Sequence, residues 1–348
     1  MEDRGVIERE RERERESKRL RHEYNNIISI ENLLVSWQEF LRGKRKRKDV
    51  AEFLLHFSEN IFKLHKELAD KTYRHGGYQA FKINDPKPRD IHKASVRDRL
   101  VHHAIHRILY PFFDKLFIAD SFSCRKEKGT HKAINRFRKF HYKTSKNNTK
   151  TCWVLKCDIK KFFANIDHKI LKNILAKHVN DSDILLLLGQ VIDSFHTENK
   201  TGVGLPLGNL TSQLFVNVYM NKFDQFVKHK LKAKYYIRYC DDFIILSEDY
   251  NWLNNVISEI KRFLSEKLKL ELHPDKIFIK TLASGVDFLG WVNFTDHRVL
   301  RTKTKRRILK KIKNNPQNRQ SINSYLGILK HCRGYKIARE IKEIIFML

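Results

Sequence analysis

Three aspartates stand where apolar stretches suited to β-strands end. Asp158 closes one such stretch, and Asp241 and Asp242 separate two others, 235–239 and 243–246. Adjacent carboxylates in an apolar hairpin are costly because like charges at close range resist joint ionisation. A divalent cation removes that cost, and Mg²⁺ takes one or two carboxylate oxygens together with phosphate oxygens and water. The positions of these aspartates therefore favour a magnesium site that acts on phosphate groups.

The charge of the whole chain indicates what carries those phosphates. Lys and Arg number 70 against 40 Asp and Glu, and the net charge of +30 favours a polyanionic partner, nucleic acid first. Two Mg²⁺ ions about 3.5–4 Å apart stabilise the attacking and leaving oxygens of an in-line phosphoryl displacement. We therefore expect a primer end to attack a nucleoside triphosphate. An isolated Asp-Asp pair is usually a solvated turn, and it is the flanking strands that favour the catalytic interpretation.

The surrounding sequence alternates between helical and strand patterns, which predicts an α+β core. Apolar residues recur at helical spacing in several stretches, and Asp167 is placed to cap the helix that follows it. The predicted helices cover 30–41, 53–68, 96–113, 168–175, 214–227, 257–268 and the basic stretch 303–348. The predicted strands cover 153–159, 235–239, 243–246, the stretch 269–278, and a hairpin over 286–294.

Composition excludes several other classes of protein. A hydrophobic content of 41% with 11% aromatic residues is that of a globular chain, which excludes a wholly disordered basic protein. A mean hydropathy of −0.55, with no apolar run longer than 184–188, predicts no membrane-spanning helix and no membrane partner. The charged residues 1–21 predict no secretory signal. Five cysteines without a CxxC pair predict neither a disulfide framework nor a four-ligand zinc site, and favour the reducing cytoplasm.

Several motifs resemble those of reverse transcriptases and follow in the order of that family. Residues 239–242, Tyr-Cys-Asp-Asp, are similar to the Y-x-D-D box, and Asp158 lies in a stretch, 157–168, similar to the first palm motif of the bacterial enzymes. Residues 204–213 resemble the loop and helix over the templating base pair. Two finger motifs and two motifs after the catalytic hairpin are matched at 87–89 with 97–99, at 121–129, at 273–276 and at 285–290.

The resemblance implies a right-hand polymerase with fingers, palm and a short helical thumb. It would be an RNA-directed DNA polymerase that makes cDNA from a template RNA, with dNTPs and a DNA or RNA primer. The implied regions are a charged N-terminal tail or helix over 1–29, fingers with part of the palm over 30–150, the palm with the catalytic core over 151–294, and a basic helical thumb over 295–348. No CxxC or HNH-like cluster follows Phe294, so we expect no RNase H or endonuclease domain there.

The resemblance also assigns the catalytic roles. Asp158, Asp241, Asp242 and the backbone carbonyl of Ile159 would hold two Mg²⁺ ions, with Mn²⁺ as a substitute. The alternative for the aspartates is that they cap helices or lie in solvated turns. Lys276 matches a lysine thought to protonate the pyrophosphate leaving group, and a merely solvated lysine is equally compatible with the sequence.

Further residues match positions that bind the incoming nucleotide. Arg89, Arg97 and Arg99 would neutralise its triphosphate, since arginine suits bidentate phosphate contact, and surface salt bridges are the alternative. Phe163 matches the aromatic gate that rejects a ribose 2′-hydroxyl, and core packing beside Phe162 is the alternative.

The last group is expected at the template and primer. Gln213, at the start of its helix, would face the nascent base pair and bear on fidelity. The residues expected to contact primer or template are Tyr239, Phe288, Leu289, Gly290 and the basic run Lys44, Arg45, Lys46, Arg47 and Lys48. Phosphate contact by such a run would depend strongly on salt.

The loop-helix motif indicates a subtype. Group II intron and retron enzymes usually carry Ser-Pro at its end, whereas this chain has Ser212-Gln213. Residues 208–213 and the run 43–48 resemble the reverse transcriptases of diversity-generating retroelements. That subtype implies a bacterial or phage-encoded enzyme that copies a structured RNA with errors opposite adenines, for mutagenic retrohoming, together with a small basic accessory variability protein. The alternatives are an antiviral-defence reverse transcriptase and a non-catalytic RNA-binding scaffold.

Overall fold

A computed structural model of the chain describes residues 19–84 and 88–346. The α-helices in these residues are α1 (Tyr24–Ile28), α2 (Ile30–Leu41), α3 (Lys48–Leu55), α4 (Phe57–Ala69), α5 (Val96–Leu116), α6 (Thr130–Thr144), α7 (His168–Ala176), α8 (Ser182–Asp193), α9 (Leu210–Gln225), α10 (Tyr250–Leu268), α11 (Thr302–Asn314), α12 (Arg319–Leu329) and α13 (Tyr335–Phe346). Within the described part of the chain, none of these helices is long and apolar enough to cross a membrane.

The strands are β1 (Tyr78–Ile83), β2 (Arg89–Ala94), β3 (Trp153–Asp158), β4 (Tyr235–Tyr239), β5 (Asp242–Ser247), β6 (Phe278–Thr281), β7 (Val286–Phe288), β8 (Trp291–Asn293) and β9 (Arg298–Leu300). The described residues form two compact units, each built from three stretches of chain. The first holds residues 19–119, 160–226 and 262–271, and the second holds 120–159, 227–261 and 272–346. The functional regions predicted from the sequence stay a prediction.

The first unit is mainly helical. Helix α5 packs against α2 and α9, and α9 also packs against α7. Ser95 starts α5, because its hydroxyl oxygen accepts a hydrogen bond from the Asp98 amide. Asp167 caps α7 as predicted, since its carboxylate accepts from the Ile170 amide. Strands β1 and β2 pair into an antiparallel hairpin.

The second unit is built on a four-stranded antiparallel sheet in the order β4-β5-β3-β6. The central residues of β4 and β5 are buried on both faces of the sheet, which explains their continuous apolar sequences. Helix α6 packs against β4 and β5. Strands β7, β8 and β9 form a smaller antiparallel sheet. Because β4 and β5 pair antiparallel across the Asp-Asp turn, the hairpin predicted there is confirmed.

The last three helices complete the second unit around an apolar cluster of their own. Trp291, Leu300, Ile308, Ile312 and Ile341 are buried in this cluster. Several lysines and arginines of α11 remain exposed on its other faces. The basic helical region predicted for 303–348 is confirmed as three helices over 302–346.

The structure departs from the predicted elements at several points. Instead of a strand over 269–278, Pro274 begins a 3₁₀ turn and β6 starts only at Phe278, because proline has no N–H for a strand ladder. Within the stretch 1–29 that was predicted as a charged tail or helix, residues 24–28 form α1, and Leu20, Tyr24, Ile27 and Ile28 are buried in the first unit. Residues 1–18 lie outside the described part. Helices α6 and α8 and strands β2 and β9 were not predicted, and β1 lies in the stretch 73–88, which was expected to form loops and short strands.

Candidate catalytic site

The main sheet brings the three aspartates to one end of the second unit. Asp158 is the last residue of β3 and pairs in register with Asp242, the first residue of β5. Asp241 lies in the tight turn between β4 and β5, and its carbonyl accepts a hydrogen bond from the Ile159 amide at 3.1 Å. One end of the main sheet thus carries the three acids and the backbone segment expected to complete the site.

A buried arginine holds the turn that carries Asp241. Cys240 has a φ of 61°, in the left-handed region that is costly for a residue with a Cβ. The Arg238 guanidinium is fully buried and donates to the Cys240 carbonyl at 3.0 Å and to Ser121 Oγ at 3.1 Å. Sequence reasoning missed this residue, although an arginine inside the apolar stretch 235–239 was an available signal.

We expect Arg238→Met to destabilise the second unit by about 2–4 kcal/mol. The variant removes the donor from the buried Ser121 hydroxyl and from the partly buried Cys240 carbonyl, and a buried polar group costs about 1–3 kcal/mol when it is left unpaired. Denaturant unfolding of both proteins measures the difference. The exposed Arg306→Met is the control and should change stability by less than about 0.5 kcal/mol. Equal stability of Arg238→Met and the wild type would refute this role for the guanidinium.

Two lysines lie against the aspartates. The ammonium of Lys276 donates to Asp158 Oδ1 at 2.7 Å, so this residue, predicted as a proton donor, is not merely solvated here. Lys156 lies 3.3 Å from Asp242 Oδ2 and also donates to the Asp287 carbonyl at 2.9 Å. Lys156 was missed from the sequence, although a lysine within a buried strand, two residues before Asp158, was a visible irregularity.

The surroundings of the turn disfavour negative charge on its acids. Burial raises the pKa of Asp242 to about 7, while Lys156 opposes the rise and Asp158 adds to it. Burial and then the charge of Asp158 raise the pKa of Asp241. Acids with raised pKa values that share one site mark a place where added positive charge is favourable.

The chemistry of these residues fits a divalent cation. Oδ1 of Asp242 is buried without a hydrogen-bond partner, and carboxylate oxygens are ligands that Mg²⁺ takes. In the structure as it stands, no group of three or more His, Cys, Asp or Glu side chains among residues 19–84 and 88–346 is arranged around a metal position. The residues that would hold a cation are Asp158, Asp241 and Asp242, with the Ile159 carbonyl.

The raised pKa of Asp241 gives a prediction for stability. An acid whose folded-state pKa lies above its unfolded value makes the protein less stable as pH rises through that interval. We therefore expect Asp241→Asn, without divalent cations, to melt above the wild type at pH 8, with the gap closing as pH falls toward 4. With an unfolding entropy of about 2.1 cal/mol/K per residue, about 1 kcal/mol corresponds to about 1–2 °C in melting temperature for a chain of 348 residues. A lower melting temperature for the variant at pH 8 would contradict the shift.

The arginines expected at the triphosphate belong to the first unit, where two of them form ion pairs. Arg97 binds the carboxylate of Glu67 and, at 3.1 Å, that of Asp98. Arg99 binds the carboxylate of Asp49 and lies over the ring of Phe40. The salt-bridge alternative thus describes both side chains in this structure. Arg89 is exposed at the start of β2, and its role at the triphosphate stays a prediction. Residue 87 of the same motif lies outside the described part.

Two other predicted residues of the first unit are partly exposed. Phe163 is half-buried, whereas its neighbour Phe162 is buried and meets it edge-on. Of the two rings, Phe162 is therefore the one that packs in the core. Gln213 is half-buried in the first turn of α9, between buried neighbours. The loop before α9 is fixed to β2, where the backbone N–H of His92 donates to the Leu207 carbonyl and the backbone carbonyl of His92 accepts from the side-chain amide of Asn209.

The residues predicted to contact the primer differ in exposure. The Phe288 ring is fully buried and packs against Phe137, so its side chain belongs to the core, and any primer contact at this position would fall to the backbone. Leu289 and Gly290 follow in the β7–β8 turn with φ values of 51° and 94°, and their roles stay predictions. Tyr239 is half-buried, and its hydroxyl accepts a hydrogen bond from Thr130 Oγ1 at 3.2 Å.

The basic run between α2 and α3 is mostly exposed. Lys44 is the exception, because its ammonium folds back to donate to the Phe40 carbonyl at 2.7 Å. The remaining members are exposed and suited to phosphate contact: Arg45, Lys46, Arg47 and Lys48.

Comparison with known proteins agrees with this geometry. The family model described as Reverse transcriptase (RNA-dependent DNA polymerase) matches residues 82–293. Protein YkfC of Escherichia coli K12 is 23% identical over 269 residues, 67% of this chain and 68% of that protein. The group II intron-encoded protein LtrA of Lactococcus lactis subsp. cremoris is 25% identical over 321 residues, 72% of this chain. This chain spans 51% of LtrA, about half its length.

A solved structure extends the likeness to the fold. The telomerase of Candida albicans, in complex with a telomeric RNA fragment, matches with a TM-score of 0.52 at 12% identity. The match covers 82% of this chain and 60% of that one. The fold class predicted from the sequence, a right-hand polymerase of α+β type, is confirmed.

Proposed function

The chain belongs to the reverse transcriptase (RNA-dependent DNA polymerase) family, and we propose that it synthesises DNA on an RNA template by nucleotidyl transfer. The observation that carries the proposal is the register of Asp158 opposite Asp242, with Asp241 in the adjoining turn. Such an arrangement would present several carboxylate oxygens to the reacting phosphates from one end of the main sheet. Bound divalent cations would activate the primer hydroxyl and neutralise the charge that develops on the triphosphate.

The chain's own residues would do the remaining work. Lys276, whose ammonium donates to Asp158, would give a proton to the pyrophosphate as it leaves. Arg238 would keep the Asp241 turn in one conformation through the cycle, which avoids reorganising the acids at each addition. The half-buried Phe163 would exclude nucleotides that carry a 2′-hydroxyl.

The nucleic acid would be bound largely through charge. The net charge of the chain is +30, and part of it lies on exposed basic side chains of α11, namely Lys303, Arg306, Lys310 and Lys313. Contacts between such side chains and phosphates release counterions, so binding should weaken steeply as salt rises. Template RNA, a primer and dNTPs are the proposed ligands.

We further propose the diversity-generating subtype, with a small basic accessory variability protein as partner. Its support is the sequence of residues 208–213, which ends in Ser212-Gln213, and the basic run 43–48. An antiviral-defence role uses the same chemistry and differs in its products.

Sequencing of the DNA made on a long RNA template tests both levels of the proposal. We expect complementary DNA whose errors concentrate opposite template adenines. Accurate copying would retain the polymerase and reject the diversity-generating subtype. Untemplated products would favour the defence role. A DNA template of the same sequence, run in parallel, measures the preference for RNA.

A further inference from the structure

Lys156 occupies an unusual place for a lysine. It lies on β3 two residues before Asp158, and residues two apart on a strand share one face of the sheet. Its side chain is only 13% exposed. Because an ammonium group is expensive to bury without compensation, its partners must account for its presence there.

Those partners connect the acids to the smaller sheet of the same unit. One contact is with Asp242 Oδ2 at 3.3 Å, and the other is a hydrogen bond of 2.9 Å to the backbone carbonyl of Asp287 in β7. The Asp287 carboxylate is in turn bound by Arg301, the residue that precedes α11. The ammonium is therefore fixed on one side by backbone and can hold the carboxylate on its other side.

The carboxylate of Asp242 has one oxygen engaged and one free. Oδ2 faces Lys156, whereas Oδ1 is buried without a hydrogen-bond partner. A carboxylate held at one oxygen keeps a defined orientation, so its second oxygen points in a constant direction. Groups that orient a metal ligand in this way typically change metal affinity or activity about 10–100-fold when removed.

We propose that Lys156 is a positioning residue that orients Asp242 so that Oδ1 is presented to a catalytic cation. The inference rests on the proposed function for its role in synthesis, and on the contacts above for its role in cation binding. It makes a counterintuitive prediction. Removing a positive charge beside the site would by electrostatics alone tighten cation binding, whereas losing the orientation of Asp242 weakens it.

Mn²⁺ binding to the full-length protein distinguishes the two effects. We expect Lys156→Met to bind Mn²⁺ about tenfold more weakly than the wild type, measured by electron paramagnetic resonance of the free ion. Lys280→Met is the matched control, since Lys280 is an exposed lysine on the neighbouring strand β6 that lies over the Phe278 ring, and it should leave the affinity unchanged. Unchanged or tighter binding by Lys156→Met would overturn the proposal.

A double variant tests whether Lys156 acts through Asp242. In an Asp242→Asn background, Lys156→Met should change Mn²⁺ affinity and kcat by less than about twofold, because the oriented group is already gone. If Lys156→Met weakens Mn²⁺ binding as much in the Asp242→Asn background as it does alone, the proposal is overturned. If Lys156→Met does not fold by circular dichroism, Lys156→Gln replaces it, since the amide still donates to the Asp287 carbonyl without a charge. A wild type that extends no primer would refute the proposed function, while the Mn²⁺ affinities would still decide this inference.

Discussion

Asp241→Asn should lower primer extension by at least about a thousandfold while leaving RNA binding nearly intact. The substitution keeps the size of the side chain and removes its charge. The turn itself stays in place, because the Arg238 guanidinium and the Ile159 amide donate to the backbone carbonyls of Cys240 and Asp241. A thousandfold loss corresponds to about 4 kcal/mol of transition-state stabilisation, which is within what a bound cation supplies. Single-turnover nucleotide addition on an RNA template measures the loss.

The control for this experiment is Asp70→Asn, an exposed aspartate at the end of α4. It should retain wild-type rate and binding. Loss of RNA binding together with extension in Asp241→Asn would make the acid structural. Retained extension would remove Asp241 from the catalytic machinery.

Phe163→Ala should reduce the preference for deoxyribonucleotides over ribonucleotides by about 10–100-fold. The half-buried ring matches the family's aromatic gate, and a steric gate loses its discrimination when the ring is deleted. The measurement is kcat/KM for each dNTP against the corresponding rNTP. We expect kcat/KM for dNTPs to change much less than that for rNTPs.

The adjacent Phe162 supplies a matched comparison. Because it is buried, Phe162→Ala should cost about 3–5 kcal/mol of folding stability and leave the sugar preference of the folded protein unchanged. An unaltered preference in Phe163→Ala, or an equal effect from both variants, would show that Phe163 is not a gate.

The sequence was most informative where local pattern and chemistry coincide. Asp158, Asp241 and Asp242 interrupt or end apolar runs, so their strands could be predicted from the pattern, whereas the expectation that they meet rested on the resemblance to the family. Asp167 as a helix cap was predicted for the same reason, since its side chain bonds within its own turn. In each case the residues that determine the local structure are neighbours in the sequence.

Contacts between distant residues could not be predicted from one sequence. Lys156 meets the Asp287 carbonyl across 131 positions, and Arg238 meets Ser121 across 117. Nothing in the local sequence specifies such partners. The burial of Phe288 escaped for a related reason, because an aromatic residue in a short strand is equally compatible with a core and a binding surface.

Addition of one nucleotide to a primer on an RNA template, with and without Mg²⁺, is the decisive test of DNA synthesis by this chain. Binding of the template–primer is measured on the same sample. We expect the complementary deoxynucleotide to be added to the primer 3′ end, chelation of divalent cations to stop the reaction, and Mn²⁺ to restore it. A template–primer that is bound but not extended with either cation would show that the chain does not catalyse nucleotidyl transfer.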